Sequence, residues 1–399
     1  MNFDLDAEHA ELQRRAREFC QNEIAPKAQA NDAKETFHWD TVPALRRMGY
    51  FGITFPKKYG GQELDELSLC LILEELGAAD AAAALTIESH NGLCTNHIYL
   101  NGNDEQKNKY LPLLTSGEML GGWALTEPGS GSDAGAAKTK AVFDGKHWIL
   151  NGSKTFTTQG SVAGVYVVFA QTGDPDAGRK ELTAFLIDKG TPGFTVGKIE
   201  HKMGIRSSDT AQLHLHDVRL NPDRMIGPKG KAFGAALRIL DGGRVAISGI
   251  SVGIARAALD EGVRWVAARK GDYGIVPENP GLTFAQRTLA QIAAEVDAAR
   301  LLTHRAACLM DAGRPFSKEA SMAKLIAGDL AMRAPTEILD VIGPEGASLD
   351  CPVQRSFRDA KLYQIGEGSS QIQQLVISRM LLADKPQAAD KKKAAASAP

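Results

Sequence analysis

Residues 137–156 read AKTKAVFDGKHWILNGSKTF, and this stretch decides how the chain is divided. Apolar and polar residues alternate on both sides of Asp144-Gly145, a dipeptide suited to a tight hairpin turn. Asn151-Gly152 marks a second turn. GVYVVFAQTG, ELTAFLID, GFTVGKIE and TAQLHLHDVRL read as further short strands, each between turn residues. The expectation is a middle β unit, of barrel or sandwich kind, over residues 121–228.

The period is helical on either side. Upstream, Asp6 is an N-cap acid ahead of Leu12, Ala16 and Phe19 at helical spacing. DELSLCLILEELGAAD is a second helix with a stop signal at Gly77, and DEQKNKYLPLLTSG closes an N-terminal helical unit over residues 1–120. Downstream, RVAISGISVGIARAALDEGVRWVAARK places Ile247, Ile250 and Ile254 on one face. A long amphipathic run then ends at Gly313, Ser317 is a cap for the next helix, and SSQIQQLVISRMLLAD is a fourth. Four long helices predict a C-terminal four-helix bundle over residues 229–384. Pro335 falls inside one of them and predicts a kink. Residues 385–399 are low in complexity and expected to be disordered. The fold class is α+β.

The composition is that of an ordinary globular protein, 43% hydrophobic and 24% charged over 399 residues. A net charge of -2 gives no electrostatic footprint for nucleic acid. No apolar run approaches the ~20 residues of a membrane span. The N-terminus MNFDLDAEHAEL has neither a secretory pattern nor the basic character of a transit peptide. Five cysteines, odd in number and scattered, read as reduced thiols in the cytoplasm.

Several short motifs invite chemistry. GSGSDA, residues 129–134, fits a dinucleotide fingerprint, but a hairpin follows it where that fingerprint needs a helix. Its small and hydroxyl residues after a strand suit a cradle for a flavin edge or a phosphate instead. In LDGGR, Asp241 and Arg244 stand near an expected helix start and, taken alone, read as a surface ion pair. No histidine spacing supports a metal site, and no G-x-S-x-G supports a serine hydrolase. Lys391, Lys392 and Lys393 read as solubilising charge in the tail. YQIGEGSSQIQ, residues 363–373, exposes one acid, Glu367, between two glycines whose bare backbone permits close approach. On its own this is either a turn ahead of a helix or a site.

Together these stretches resemble the acyl-CoA dehydrogenase family, its short-chain members most closely, from about residue 3 to residue 384. The pieces WALTEPGSGSDAG, LNGSKTFTT, KMGIRSSDT, DVRLNPDRMIG, LDGGRVAISG and RDAKLYQIGEGSSQIQQLVISR match in order. The resemblance implies FAD between the β unit and the bundle, an acyl-CoA substrate, an electron-transferring flavoprotein as acceptor and a homotetramer built as a dimer of dimers. It makes Trp123, Leu125, Thr126, Gly131, Ser132, Phe156, Thr157 and Thr158 flavin contacts, with Ser132 also touching CoA. Asp241, Arg244 and Gly368 become substrate contacts, Ser369 and Gln371 meet FAD, and Glu367 is the catalytic base. Arg269, Asp340, Gly343 and Pro344 correspond to residues that reach a neighbouring subunit's FAD.

The chain departs from the family at Asp340 and Pro344, and at Thr283, where glutamine is usual. The loop KGDYGIVPENPG is longer than usual, with Tyr273 as a substitute for the expected Phe-Gly. Gly366 stands where many straight-chain relatives carry tyrosine, and Gly243 holds the position of the base in some relatives. An acyl-CoA oxidase would share the base, a related flavin monooxygenase would not need it, and a DNA-associated relative would show a basic groove.

Overall fold

The computed structural model describes residues 3–173, 181–276 and 281–383. The C-terminal tail and residues 277–280 of the long loop lie outside the described residues. The N-terminal helices are α1 (Ala7–Phe19), α2 (Ala25–Lys34), α3 (Val42–Arg47), α4 (Glu66–Ala79), α5 (Ala81–Glu88), α6 (Asn96–Asn101) and α7 (Asp104–Thr115). Asp6 caps α1 as expected, accepting from His9 N at 2.9 Å. Gly77 does not stop α4, which runs two residues further and ends where Asp80 turns extended to cap α5. Gly77 instead serves packing, since a Cβ there would lie 2.6 Å from the carbonyl oxygen of Ile250.

The middle strands are β1 (Gly121–Ala124), β2 (Lys140–Phe143), β3 (Trp148–Thr158), β4 (Val165–Gln171), β5 (Leu182–Asp188), β6 (Phe194–Ile199), β7 (Thr210–Leu220) and β8 (Met225–Ile226). β2 and β3 form the hairpin read from the sequence, and Asp144 Oδ1 accepts from Lys146 N and His147 N. Asn151-Gly152 is not a turn. Gly152, at φ +154°, is a bulge inside β3 packed against Thr139, and the strand continues through it. The sheet runs β6-β7-β3-β2-β4-β5-β8 with β1 beside β4, but β2 meets β4 at one residue pair, Lys140 and Gln171. The two halves pack face to face, Trp148 against Phe185 at 5.4 Å and Tyr166 against Phe194 at 4.9 Å. Narrow joining with facing aromatics makes this a sandwich.

A buried ion pair shapes the loop after β1. Lys154 Nζ reaches Glu127 Oε1 at 2.7 Å and the Leu125 carbonyl at 3.2 Å, while Glu127 accepts from the amides of Lys138 and Thr139. With every partner present, the pair fastens the glycine- and serine-rich loop at both ends.

The C-terminal helices are α8 (Ala232–Ala268), α9 (Phe284–Asp311), α10 (Ser317–Ile342), α11 (Pro352–Ile365) and α12 (Ser370–Ala383). The sequence reading overlooked α11. Pro335 lies within α10, where the sequence placed it, and is buried. Ser317 is the first helical residue of α10, and its hydroxyl donates to Asp241 Oδ2 at 2.5 Å instead of capping its own helix. α4 crosses α8 at backbone contact, where Gly253 leaves room for the carbonyl of Glu74. Nearby, Glu74 and Glu75 are paired with Arg17, Arg256 and Arg300.

Two outcomes follow from this packing. Gly253→Ala forces a methyl into a backbone carbonyl that cannot swing aside and lowers stability by about 1–3 kcal/mol, whereas Gly271→Ala, with nothing within 4 Å, leaves the thermal midpoint near wild type. Lys154→Met strands the Glu127 charge in the interior and costs about 3–5 kcal/mol, read by denaturant unfolding.

Candidate functional site

Glu367 lies in the four-residue link, residues 366–369, between α11 and α12. α11 stops at Gly366, and Glu367 then takes left-handed backbone at φ +52°, with Gly368 at φ +99°. A non-glycine residue is rarely held in that region without a reason. The conformation turns the side chain inward. Contrary to the exposed acid expected from the sequence, the Glu367 Oε2 atom is buried and has no hydrogen-bond donor among the described residues. It rests on α8 at Gly243, where any Cβ would collide with Oε2. The glycine of LDGGR is thus required by the acid of GEG, 124 residues away in the chain.

Residues that sequence reasoning missed hold this link in place. Lys324 on α10 is buried, and its Nζ donates to the carbonyls of Gln364 at 3.0 Å and Gly368 at 2.7 Å. Gln373 Nε2 donates to the same Gly368 carbonyl at 2.9 Å, and Asp329 accepts from Gln364 Nε2 and Ser370 Oγ. A lysine and an aspartate inside an apolar helical run, SMAKLIAGDLA, were the signal available. Burial pushes Lys324 down to about 8, against the opposing pull of Glu367 and Asp329. Burial also raises Glu367, and Glu88, Lys324 and Arg244 draw it back toward the ionised form.

Asp241 and Arg244 lie ten and more residues inside α8, not at a helix start. Arg244 is buried, not on the surface. It bonds Asp241 and approaches Ser321 Oγ at 3.5 Å, and its Nε has no partner among the described residues.

The residues after β1 and along β3 form a second face. Trp123 and Leu125 are buried and pack with Ala232, Ala236 and Ile239 of α8, one turn before Asp241. Thr126 is tied to β3 through its carbonyl, which accepts from Thr155 N at 2.9 Å. Gly131 and Ser132 are exposed, and nothing lies within 4 Å of a Cβ on Gly131. A register shift in β3 leaves Phe156 at φ +53° and 65% exposed, while the adjacent Thr157 hydroxyl is buried without a partner among the described residues and Thr158 is half-buried. A projecting ring beside an orphaned hydroxyl is a surface built to meet another molecule. Ser369 is half-buried and Gln371 exposed on the far side of the Glu367 link.

A third group stands apart. Arg269 ends α8 and stacks over the Trp265 ring at 3.6 Å. Tyr273 donates to the carbonyl of Val341 at 2.8 Å, which sets this corner beside Asp340, Gly343 and Pro344 at the end of α10. Asp340 and Pro344 are exposed, and Gly343 has φ +81°. At 1.5 Å per residue, Arg269 lies roughly 40 Å along α8 from Asp241. One chain does not bring this group to the Glu367 pocket. Thr283 has its own task, capping α9 reciprocally with Gln286. Among the described residues no cluster of three His, Cys, Asp or Glu could hold a metal ion, and no helix is long and apolar enough to cross a membrane.

Three family models match the chain in succession: the N-terminal domain of acyl-CoA dehydrogenase over residues 6–118, the middle domain over 122–218 and the C-terminal domain over 230–382. A short-chain specific acyl-CoA dehydrogenase from Clostridium acetobutylicum is 40% identical over 378 residues, covering 95% of this chain and 99% of that protein. The butyryl-CoA dehydrogenase of Megasphaera elsdenii superposes with a TM-score of 0.90 at 38% identity, covering 96% of this chain and all of the other. A glutaryl-CoA dehydrogenase from Mycobacterium smegmatis in complex with FADH2 superposes at 0.88 with 28% identity, over 95% of each chain. With all three units matched in order and the acid of GEG seated on the glycine of LDGGR, the chain belongs to the acyl-CoA dehydrogenase family of oxidoreductases.

Proposed function

We propose that the chain desaturates a short, branched or cyclic acyl-CoA to the trans-2-enoyl-CoA, with Glu367 as general base and FAD as cofactor. The observation that carries this reading is the buried Glu367 oxygen with no donor among the described residues, held over the side-chain-free Gly243. A carboxylate oxygen kept out of water is a stronger base than a solvated one, which suits removal of a weakly acidic α-proton. Its backbone N–H is the donor for the thioester carbonyl, where charge develops as the proton leaves. Lys324 and Gln373, by holding the Gly368 carbonyl, fix the angle of that peptide. Arg244, with Asp241, serves the substrate on the same side.

The residues present suit FAD. The orphaned Thr157 hydroxyl, the projecting Phe156, the open backbone at Gly131 and Ser132, and the fastened Thr126 form one face for it. Ser369 and Gln371 approach it from the bundle. Bound FAD supplies acceptance of the β-hydride. Arg269, Asp340, Gly343 and Pro344, too far along their helices to serve their own chain's pocket, serve the flavin of a neighbour in a homotetramer arranged as a dimer of dimers. An electron-transferring flavoprotein is the acceptor, in keeping with relatives named as dehydrogenases. The free cysteines suit a cytoplasmic location.

Glu367→Gln preserves shape and flavin content but lowers turnover of butyryl-CoA by ~10²–10⁴-fold or more. Near-wild-type turnover in that variant would end this reading. The acyl specificity is tested at Gly366, whose absent side chain faces only Leu362 within 4 Å. Gly366→Tyr is expected to reduce kcat/KM for branched and cyclic acyl-CoAs several-fold more than for butyryl-CoA, a difference above about 1 kcal/mol. Equal losses on every substrate would make the gap structural only.

A further inference from the structure

Glu88 closes α5, where the helix loosens into the π-turn Ser89–Thr95, and it is fully buried. The other three buried glutamates among the described residues have cations: Glu74 has Arg256 and Arg300, Glu75 has Arg17 and Arg256, and Glu127 has Lys154. Among the described residues Glu88 has none, and both its oxygens lack a donor there. Two glycines make room for it. A Cβ on Gly92 would stand 2.9 Å from its Oε1, and one on Gly243, already colliding with Glu367 Oε2, would be 3.5 Å from the same Oε1. The Glu88 and Glu367 carboxyl groups thus flank one point on α8, within hydrogen-bonding reach of each other.

Two carboxyl groups so placed away from water do not both ionise; one keeps a proton and donates it to the other. We propose that Glu88 is the protonated member and a positioning residue for the base: its single O–H donates to Glu367 and holds that carboxylate in its reacting orientation over Gly243. This rests on the reading of Glu367 as base.

The surroundings assign the proton. Arg244 from α8 and Lys324 from α10 face Glu367 and favour its ionised form, and Asp241 is already engaged by Arg244. Tyr363 of α11 lies near both acids, but burial holds its hydroxyl neutral and it donates to the Ala81 carbonyl. His90, on Glu88's own turn, is occupied by the Leu114 carbonyl and the Gly121 amide. Among the described residues no cation pairs with Glu88. Burial first, and then the Glu367 charge and hydrogen bond, push it well above the usual carboxylate range. The same hydrogen bond lowers Glu367.

The sign of the pH effect follows. The acid limb of kcat/KM reports ionisation of Glu367, and losing a donor that stabilises the anion moves that limb to higher pH. In the holoenzyme with butyryl-CoA, Glu88→Ala is expected to shift the acid limb upward and lower kcat by about 10–100-fold through misplacement of the base. Glu88→Gln, an amide donor of the same shape, should keep the limb near wild type and kcat within about threefold. The alkaline side should stay put in both variants, since neither substitution alters a group that titrates there. A readout independent of turnover is the infrared C=O stretch of a protonated buried carboxyl group, present in the wild type and lost in Glu88→Gln. Acid limbs that coincide in all three proteins, a glutamine variant that behaves like the alanine one, or no infrared band lost on Glu88→Gln would each overturn the proposal. Activity retained in Glu367→Gln would instead remove the base assignment beneath it, so the two failures are distinguishable.

Discussion

A carboxylate taken out of water is the constraint on which the rest of the structure turns. Transfer of an ionised acid into an apolar interior is costly unless something charged or hydrogen-bonding compensates. At Glu367 the compensation is partial. Lys324 and Arg244 act on it from a distance, and neither is a hydrogen-bonded partner of Oε2. An acid left this reactive demands rigid support. The structure provides it by holding the link: Lys324 and Gln373 on the Gly368 carbonyl, Asp329 on the Gln364 and Ser370 side chains, and a left-handed residue between two glycines.

The same constraint explains the long helix α8. It carries Gly243 and Arg244 under the acid, packs its first turns against Trp123 and Leu125 of the sandwich, and crosses α4 at Gly253. One rod therefore sets the distance between the base and the face of the β unit. The Lys154–Glu127 pair does the corresponding work in the sandwich, fastening the loop that follows β1. A paired buried charge serves stability and shape, and an unpaired one serves chemistry.

The three-part division was legible in the sequence because amphipathic periodicity is a local property. A β-strand bounded by turns and a helix with one apolar face declare themselves over ten to twenty residues. The hairpin at Asp144-Gly145 and the cap at Asp6 were readable for that reason, and the motif order identified the family. Glycines were read less well. Gly77 and Gly152 looked like punctuation, but one is a helix crossing and the other a strand bulge. A glycine says only that a side chain is unwelcome; whether a turn or a neighbour forbids it depends on the rest of the fold.

The chain by itself determined the order of helical, β and helical units and the acid between two glycines, since each depends on neighbours in sequence. Tertiary structure alone decided that Glu367 faces inward, that Arg244 is internal, that Lys324 holds the link and that Glu88 meets the base. These residues are separated by tens to hundreds of positions, and burial is the physical agent in every case. Desolvation raises Glu88, lowers Lys324 and makes the lone oxygen of Glu367 reactive, and it exists only once distant helices have closed around them.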